Sequence, residues 1–229
     1  MVRKDIKEFI QTIPSDVTIV AASKYVDAKD IKVLLNAGIK DIAENRVDNF
    51  LEKYEQLKNE DIRWHFIGHL QRNKALNVID KIDYLESLDS LKLAEIINTH
   101  RLSPLKCFVE VSINLEENKN GVPYFELENF LNQIKQYSNI EIVGLMMMAI
   151  RHSDDESLRE QFKKLRILRD EMEKKLNIKL PYLSMGMSED YKEALLDTPS
   201  PARHLRRACR SPASDSAPSR CWPSRSRRP

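Results

Sequence analysis

Lys24 closes an apolar run, Val17-Thr18-Ile19-Val20-Ala21-Ala22-Ser23. An amine at the exit of a buried strand can lose its proton through burial and attack an aldehyde, so Lys24 is a candidate Schiff-base former. The plainer alternative is a solvated charge at a loop entrance. Far downstream, Tyr182-Leu183-Ser184-Met185-Gly186-Met187-Ser188-Glu189-Asp190 reads as a strand, a small-residue turn and a helix start. Gly186 permits close backbone approach, and the first helical amides would face an anion. Here the plainer alternative is a helix N-cap made by Ser188, with Asp190 nearby. A ligand that uses both features is pyridoxal 5′-phosphate, with an aldehyde at one end and a phosphate at the other.

Other polar residues are more ambiguous. His65-Phe66-Ile67-Gly68-His69 has an i, i+4 histidine pair, but that spacing aligns two metal ligands only on a helix. This run reads as a strand leaving into a loop, so no metal site is assigned. Glu44-Asn45-Arg46 follows another short apolar run and is either a loop-stabilising cluster or a ligand-facing one. Cys107 lies within Cys107-Phe108-Val109-Glu110-Val111 and reads as a small core residue.

These residues need elements to hold them. Buried strands are expected over 18–22, 41–44, 64–68, 84–87, 106–112, 141–147 and 182–185, each followed by a polar loop and a helix. Ile31, Leu34 and Leu35 mark one helix, with Asp27 as its cap and Gly38 as its stop. Leu158, Phe162, Leu165, Leu168, Met172 and Leu176 mark the longest. Alternating βα units imply a parallel sheet, whose strand ends converge on one face.

The totals divide the chain in two. Residues 198–229 hold 8 Arg and 1 Asp, a charge of +7, whereas residues 1–197 hold 29 basic and 34 acidic residues, a charge of −5. The mildly acidic body argues against a nucleic-acid surface. No run approaches a membrane span, and the mixed charges of the first residues do not resemble a signal peptide, so a cytoplasmic protein is expected. The tail has 6 prolines and 7 serines with no Ile, Val, Phe, Tyr or Gly. That composition predicts disorder from residue 198 onward. Its Arg, Pro and Ala usage, against the Lys, Ile and Asn of the body, points to a foreign or out-of-frame segment.

Ala22-Ser23-Lys24, Glu44-Asn45-Arg46, the run from His65 to Lys74, Gly144-Leu145-Met146 and the run from Ser184 to Asp190 together resemble the pyridoxal phosphate homeostasis protein family. The resemblance covers about residues 1–197. It implies a TIM-type (β/α)8 barrel of pyridoxal-phosphate fold type III, with the cofactor held as a Schiff base on Lys24. It further implies that Gly186, Met187 and Ser188 lie at the phosphate and that Asn45, Ile67 and Met146 line the pocket. The implied role is intracellular pyridoxal phosphate homeostasis by a monomeric, non-catalytic carrier, with apo forms of pyridoxal-phosphate enzymes as partners. An amino-acid racemase and a Schiff-base aldolase are the rival activities. The family ends with an eighth strand carrying Thr-x-x-Arg-x-Gly and a closing helix. Neither is legible here, and Arg206 and Arg207 are not given the phosphate role. The expectation is therefore an incomplete barrel whose first and last strands keep unpaired edges.

Overall fold

The computed structural model of the chain describes residues 5–115, 120–196 and 203–208, the last stretch by its backbone. Its strands are β1 (Val17–Ala22), β2 (Asp41–Glu44), β3 (Arg63–Phe66), β4 (Tyr84–Leu88), β5 (Leu105–Ser112), β6 (Val122–Pro123), β7 (Ile140–Met146), β8 (Tyr182–Ser184) and β9 (Arg203–Ala208). Its helices are α1 (Ile6–Gln11), α2 (Ala28–Asn36), α3 (Val47–Leu57), α4 (Leu91–His100), α5 (Leu127–Ile134), α6 (Asp155–Leu176) and α7 (Tyr191–Leu196). All strand pairings are parallel. Because β4 also pairs with β5, the order β1-β2-β3-β4-β5-β7-β8-β9 returns to β1 as a ring of eight strands. The two-residue β6 attaches to β5 outside that ring.

β9 corrects the expectation of a missing strand. It pairs with β1 from Val17↔Arg203 to Ala22↔Ala208 and with β8 at Leu183↔Arg203 and Ser184↔His204. Arg-His-Leu-Arg-Arg-Ala carries no apolar alternation, but filling the gap between two parallel edges requires only backbone donors and acceptors. Pro199 and Pro201, which lack donors, both precede the paired stretch. The disorder and foreign origin expected for the tail fall, apart from β9, outside the described residues, as does any closing helix. Among the described residues the eighth βα unit is thus its strand alone.

Strands β1 to β5, β7 and β8 are largely buried on both faces, and alternation sorts the two. Ile42, Trp64, Phe66, Leu85, Leu145 and Leu183 pack outward with the helices in the main core. Phe50 of α3, for instance, meets Trp64 and Phe66 edge-on at 5.4 and 6.4 Å. Tyr84, Phe108, Val143, Met146 and Tyr182 form a separate cluster inside the ring. The caps are as the sequence implies. The Asp27 carboxylate accepts from the Asp30 amide at 2.9 Å to start α2, and Gly38 follows its end at φ +95. The link from β3 to β4 differs, being a six-residue 3₁₀ helix at Arg72–Asn77 in place of an α-helix. Among the described residues no helix is long and apolar enough to cross a membrane.

Gly144 is fixed by close approach. A Cβ there would lie 1.9 Å from the Tyr182 carbonyl oxygen. Since backbone on the neighbouring strand cannot swing aside as a side chain does, Gly144→Ala is expected to destabilise the barrel by about 1–3 kcal/mol. A lowered denaturant midpoint at constant m-value measures this.

Candidate functional site at the strand C-termini

Parallel strands place all their C-terminal ends at one mouth. Lys24 lies two residues beyond β1, Asn45 follows β2, Ile67 follows β3, Met146 ends β7, and Gly186, Met187 and Ser188 lie in the loop after β8. Only β9 separates β1 from β8. Two strand spacings, about 10 Å, therefore separate the strand carrying the amine from the strand carrying the glycine turn.

Lys24 is half-buried, with its Nζ 5.0 Å over the Tyr25 ring. Its backbone is anchored through Ser23, whose hydroxyl donates to the Ala43 carbonyl at 3.0 Å and to Glu44 Oε1 at 2.8 Å. Lys53 reaches in from α3 to pair with Glu44 and to donate to the Ser23 carbonyl at 2.6 Å. The second Glu44 oxygen accepts the Asn45 amide at 3.2 Å. Glu44 and Lys53 thus clamp the loops bearing Lys24 and Asn45, which makes Glu44 the loop-stabilising member of Glu44-Asn45-Arg46. Asn45 is partly buried and Arg46 is exposed. Lys53 carried no sequence signal beyond being a lysine on the buried side of an amphipathic helix.

Asn45 Oδ1 is buried without a hydrogen-bond partner. An orphaned buried acceptor costs about 1–3 kcal/mol, so a donor supplied from outside would be held firmly there. Gly68 packs against the same residue, since a Cβ on it would meet the Asn45 carbonyl oxygen at 2.1 Å. Met146 is fully buried, whereas Ile67 is partly exposed.

Gly186 is buried at φ +82, a conformation that glycine adopts without strain. The helix does not begin at Ser188 as expected. Its first hydrogen-bonded turn runs from the Met187 carbonyl to the Tyr191 amide at 3.0 Å, and α7 starts at Tyr191. The buried Asp190 carboxylate accepts the Met187 amide, so that amide is already engaged within the loop.

The two histidines do not converge. His69 Nδ1 lies 3.0 Å from Asp89 at the mouth, while His65 is fully buried inside the ring. Its Nδ1 is 2.7 Å from Glu86 and its Nε2 is 3.1 Å from Asp41, and Asp41 is also bound twice by Arg63 at 2.7 and 2.5 Å. Among the described residues no cluster could hold a metal ion. Burial pushes the Cys107 thiol upward, in keeping with an inert core residue.

Burial opposes a charge on His65, but the hydrogen bonds with Asp41 and Glu86 outweigh it and raise its pKa above the usual 6.5. Burial likewise opposes charge on Asp41, yet Arg63 and His65 hold its carboxyl well below 3.8. The stability due to His65 is complete below pH 6.5 and is lost as pH rises through the raised native value. That due to Asp41 is complete above pH 3.8 and is lost as pH falls through the depressed one. Melting temperatures are therefore expected to decline as pH rises above 6.5. His65→Gln should flatten that limb while lowering the plateau. A melt series from about pH 5 to about pH 9 checks both, and an unchanged alkaline limb in the variant would exclude His65 as the titrating group.

A ring of eight parallel strands whose C-terminal loops gather at one mouth defines the class, a TIM-type fold of the kind found in alanine racemases. The family model described as alanine racemase, N-terminal domain, matches residues 2–206. The pyridoxal phosphate homeostasis protein of Aquifex aeolicus is 38% identical over 180 residues, covering 77% of this chain and 79% of that protein. The human protein of the same name is 35% identical over 192 residues, covering 77% and 70%. The structure of PipY from Synechococcus elongatus with pyridoxal phosphate bound superposes with a TM-score of 0.82 at 27% identity, covering 90% of this chain and 96% of PipY. Alanine racemase from E. faecalis shares the fold alone, at 11% identity and a TM-score of 0.68. The chain belongs to the pyridoxal phosphate homeostasis protein family, within the alanine racemase N-terminal domain class.

Proposed function

We propose that this chain binds pyridoxal 5′-phosphate as a Schiff base on Lys24 and serves intracellular vitamin B6 homeostasis as a non-catalytic carrier. The observation that carries this reading is the shared mouth. A lysine after β1 and a buried glycine turn after β8 sit on strands separated by one neighbour, in a family whose relative PipY was solved with the cofactor. The residues present suit the group. Lys24 would bond it covalently, the turn at Gly186, Met187 and Ser188 would take the phosphate, and Asn45, Ile67 and Met146 would line the ring. The orphaned Asn45 oxygen offers an acceptor to a ligand donor. When bound, the cofactor supplies an aldehyde that condenses with the amine and releases water. Handover to apo pyridoxal-phosphate enzymes in the cytoplasm, by a monomer, completes the proposal.

The test is borohydride reduction after mixing with pyridoxal phosphate. A visible band that disappears on reduction, with a pyridoxyl mass on the Lys24 peptide, supports the reading, and a colourless, unmodified chain overturns it. An amino-acid racemase is the rival, but racemisation demands proton donors and acceptors on both faces of the cofactor, which weighs against it. Incubation with L-alanine is expected to yield no D-alanine, and turnover would favour the racemase.

A further inference from the structure

The interior of the ring holds a hydrogen-bonded chain that the proposed binding does not use. From Arg63 it passes to Asp41, to His65, to Glu86, and then to the Ser184 hydroxyl, which donates to Glu86 Oε2 at 2.6 Å. Asp41, His65, Glu86 and Ser184 are all buried. Both imidazole nitrogens face carboxylate oxygens, so both must carry hydrogen, and the charges alternate along the chain. Tyr84 stacks on His65 at 4.5 Å, and Lys106 caps the far side of Tyr84 with its Nζ 5.4 Å from the ring centre. The final link is long-range, joining residues 98 apart in sequence from strands that are not neighbours in the ring. Ser184 is therefore fixed twice, by this bond across the barrel and by its carbonyl, which accepts the Met147 amide at 3.1 Å.

Buried ion pairs are a weak source of stability, because apolar residues of similar shape usually serve as well. Three ionised side chains buried inside one barrel call for another role, and Ser184 is the last residue before the glycine turn. We propose that Asp41, His65 and Glu86 act as positioning residues that hold Ser184, and through it the turn at 185–188, in the geometry that receives the ligand's phosphate. The inference rests on the pyridoxal phosphate reading above and extends it to residues outside the proposed ligand contacts. Charge-assisted hydrogen bonds from across the barrel fix the turn's starting point before any ligand arrives, which lowers the ordering cost of binding.

The test compares pyridoxal phosphate with pyridoxal, which lacks the phosphate, on the full wild-type chain, Ser184→Ala and Glu86→Gln. Ser184→Ala is expected to weaken pyridoxal phosphate about 10-fold while leaving pyridoxal within about 2-fold. Glu86→Gln, whose amide oxygen still accepts from Ser184 but lacks the charge, should fall between, and it carries the comparison if Ser184→Ala does not fold. Unchanged pyridoxal phosphate affinity in the folded variants would overturn the inference. So would equal losses for both ligands in variants that melt like the wild type, because the role would then be structural. In either case wild-type labelling on Lys24 leaves the binding reading standing. A wild-type chain that binds neither ligand overturns both.

Discussion

Replacing Lys24 with alanine is expected to abolish the yellow, borohydride-reducible complex while leaving the melt of the unliganded protein unchanged within about 0.5 kcal/mol. The asymmetry follows from how this side chain sits. It is half-buried, and its contact is with the exposed ring of its neighbour Tyr25, so removing it opens no cavity and orphans no buried partner. The loss in affinity should be on the order of 100-fold or more, about 2.7 kcal/mol or more, with residual binding through the phosphate turn. Lys24→Arg should lose as much, because a guanidinium keeps the charge but cannot give up its proton to become a nucleophile. Lys53, close behind, cannot substitute. Its ammonium is tied to Glu44 and the Ser23 carbonyl in a buried site. Absorbance titration of the three proteins measures the effect, and colour surviving in Lys24→Ala would move the covalent site to another lysine.

Ending the chain before Arg203 should have the largest effect on the fold. β9 is paired along six residues of β1 and two of β8, and without it both edges of the ring open. Losing about six ladder hydrogen bonds at about 1 kcal/mol each removes an amount comparable with the usual net stability of a domain. The truncated chain is expected to lose its cooperative melt and aggregate, while a chain ending after Ala208 keeps the ring. Thermal melts with size-exclusion profiles of both lengths decide this. Equal behaviour of the two would mean that the ring does not depend on β9.

What the sequence shows and what it hides divide along physical lines. Apolar spacing of three and four marks α2 and α6, and short apolar runs mark seven of the ring strands, because burial of side chains leaves a pattern in residue type. Asp27 and Gly38 announce the limits of α2 through chemistry that is local to a few residues. β9 leaves no such trace. It is held by backbone pairing to strands distant in sequence, and Arg-His-Leu-Arg-Arg-Ala contains no alternation to read. The interior charges are hidden for a related reason. Asp41, His65 and Glu86 look like polar interruptions of buried strands until ring closure brings their partners together. The strand-end loops were legible because parallel topology alone sends them to one mouth. The engagement of the Met187 amide by Asp190 was not, since it depends on the path of a single turn.

A crystal structure of the chain with pyridoxal phosphate decides whether Lys24 and the glycine turn serve one ligand. Density is expected to run continuously from Lys24 Nζ into the pyridine ring, with the phosphate against the backbone at Gly186, Met187 and Ser188. A ligand whose phosphate lies elsewhere, or a Lys24 left free beside an occupied site, would contradict it.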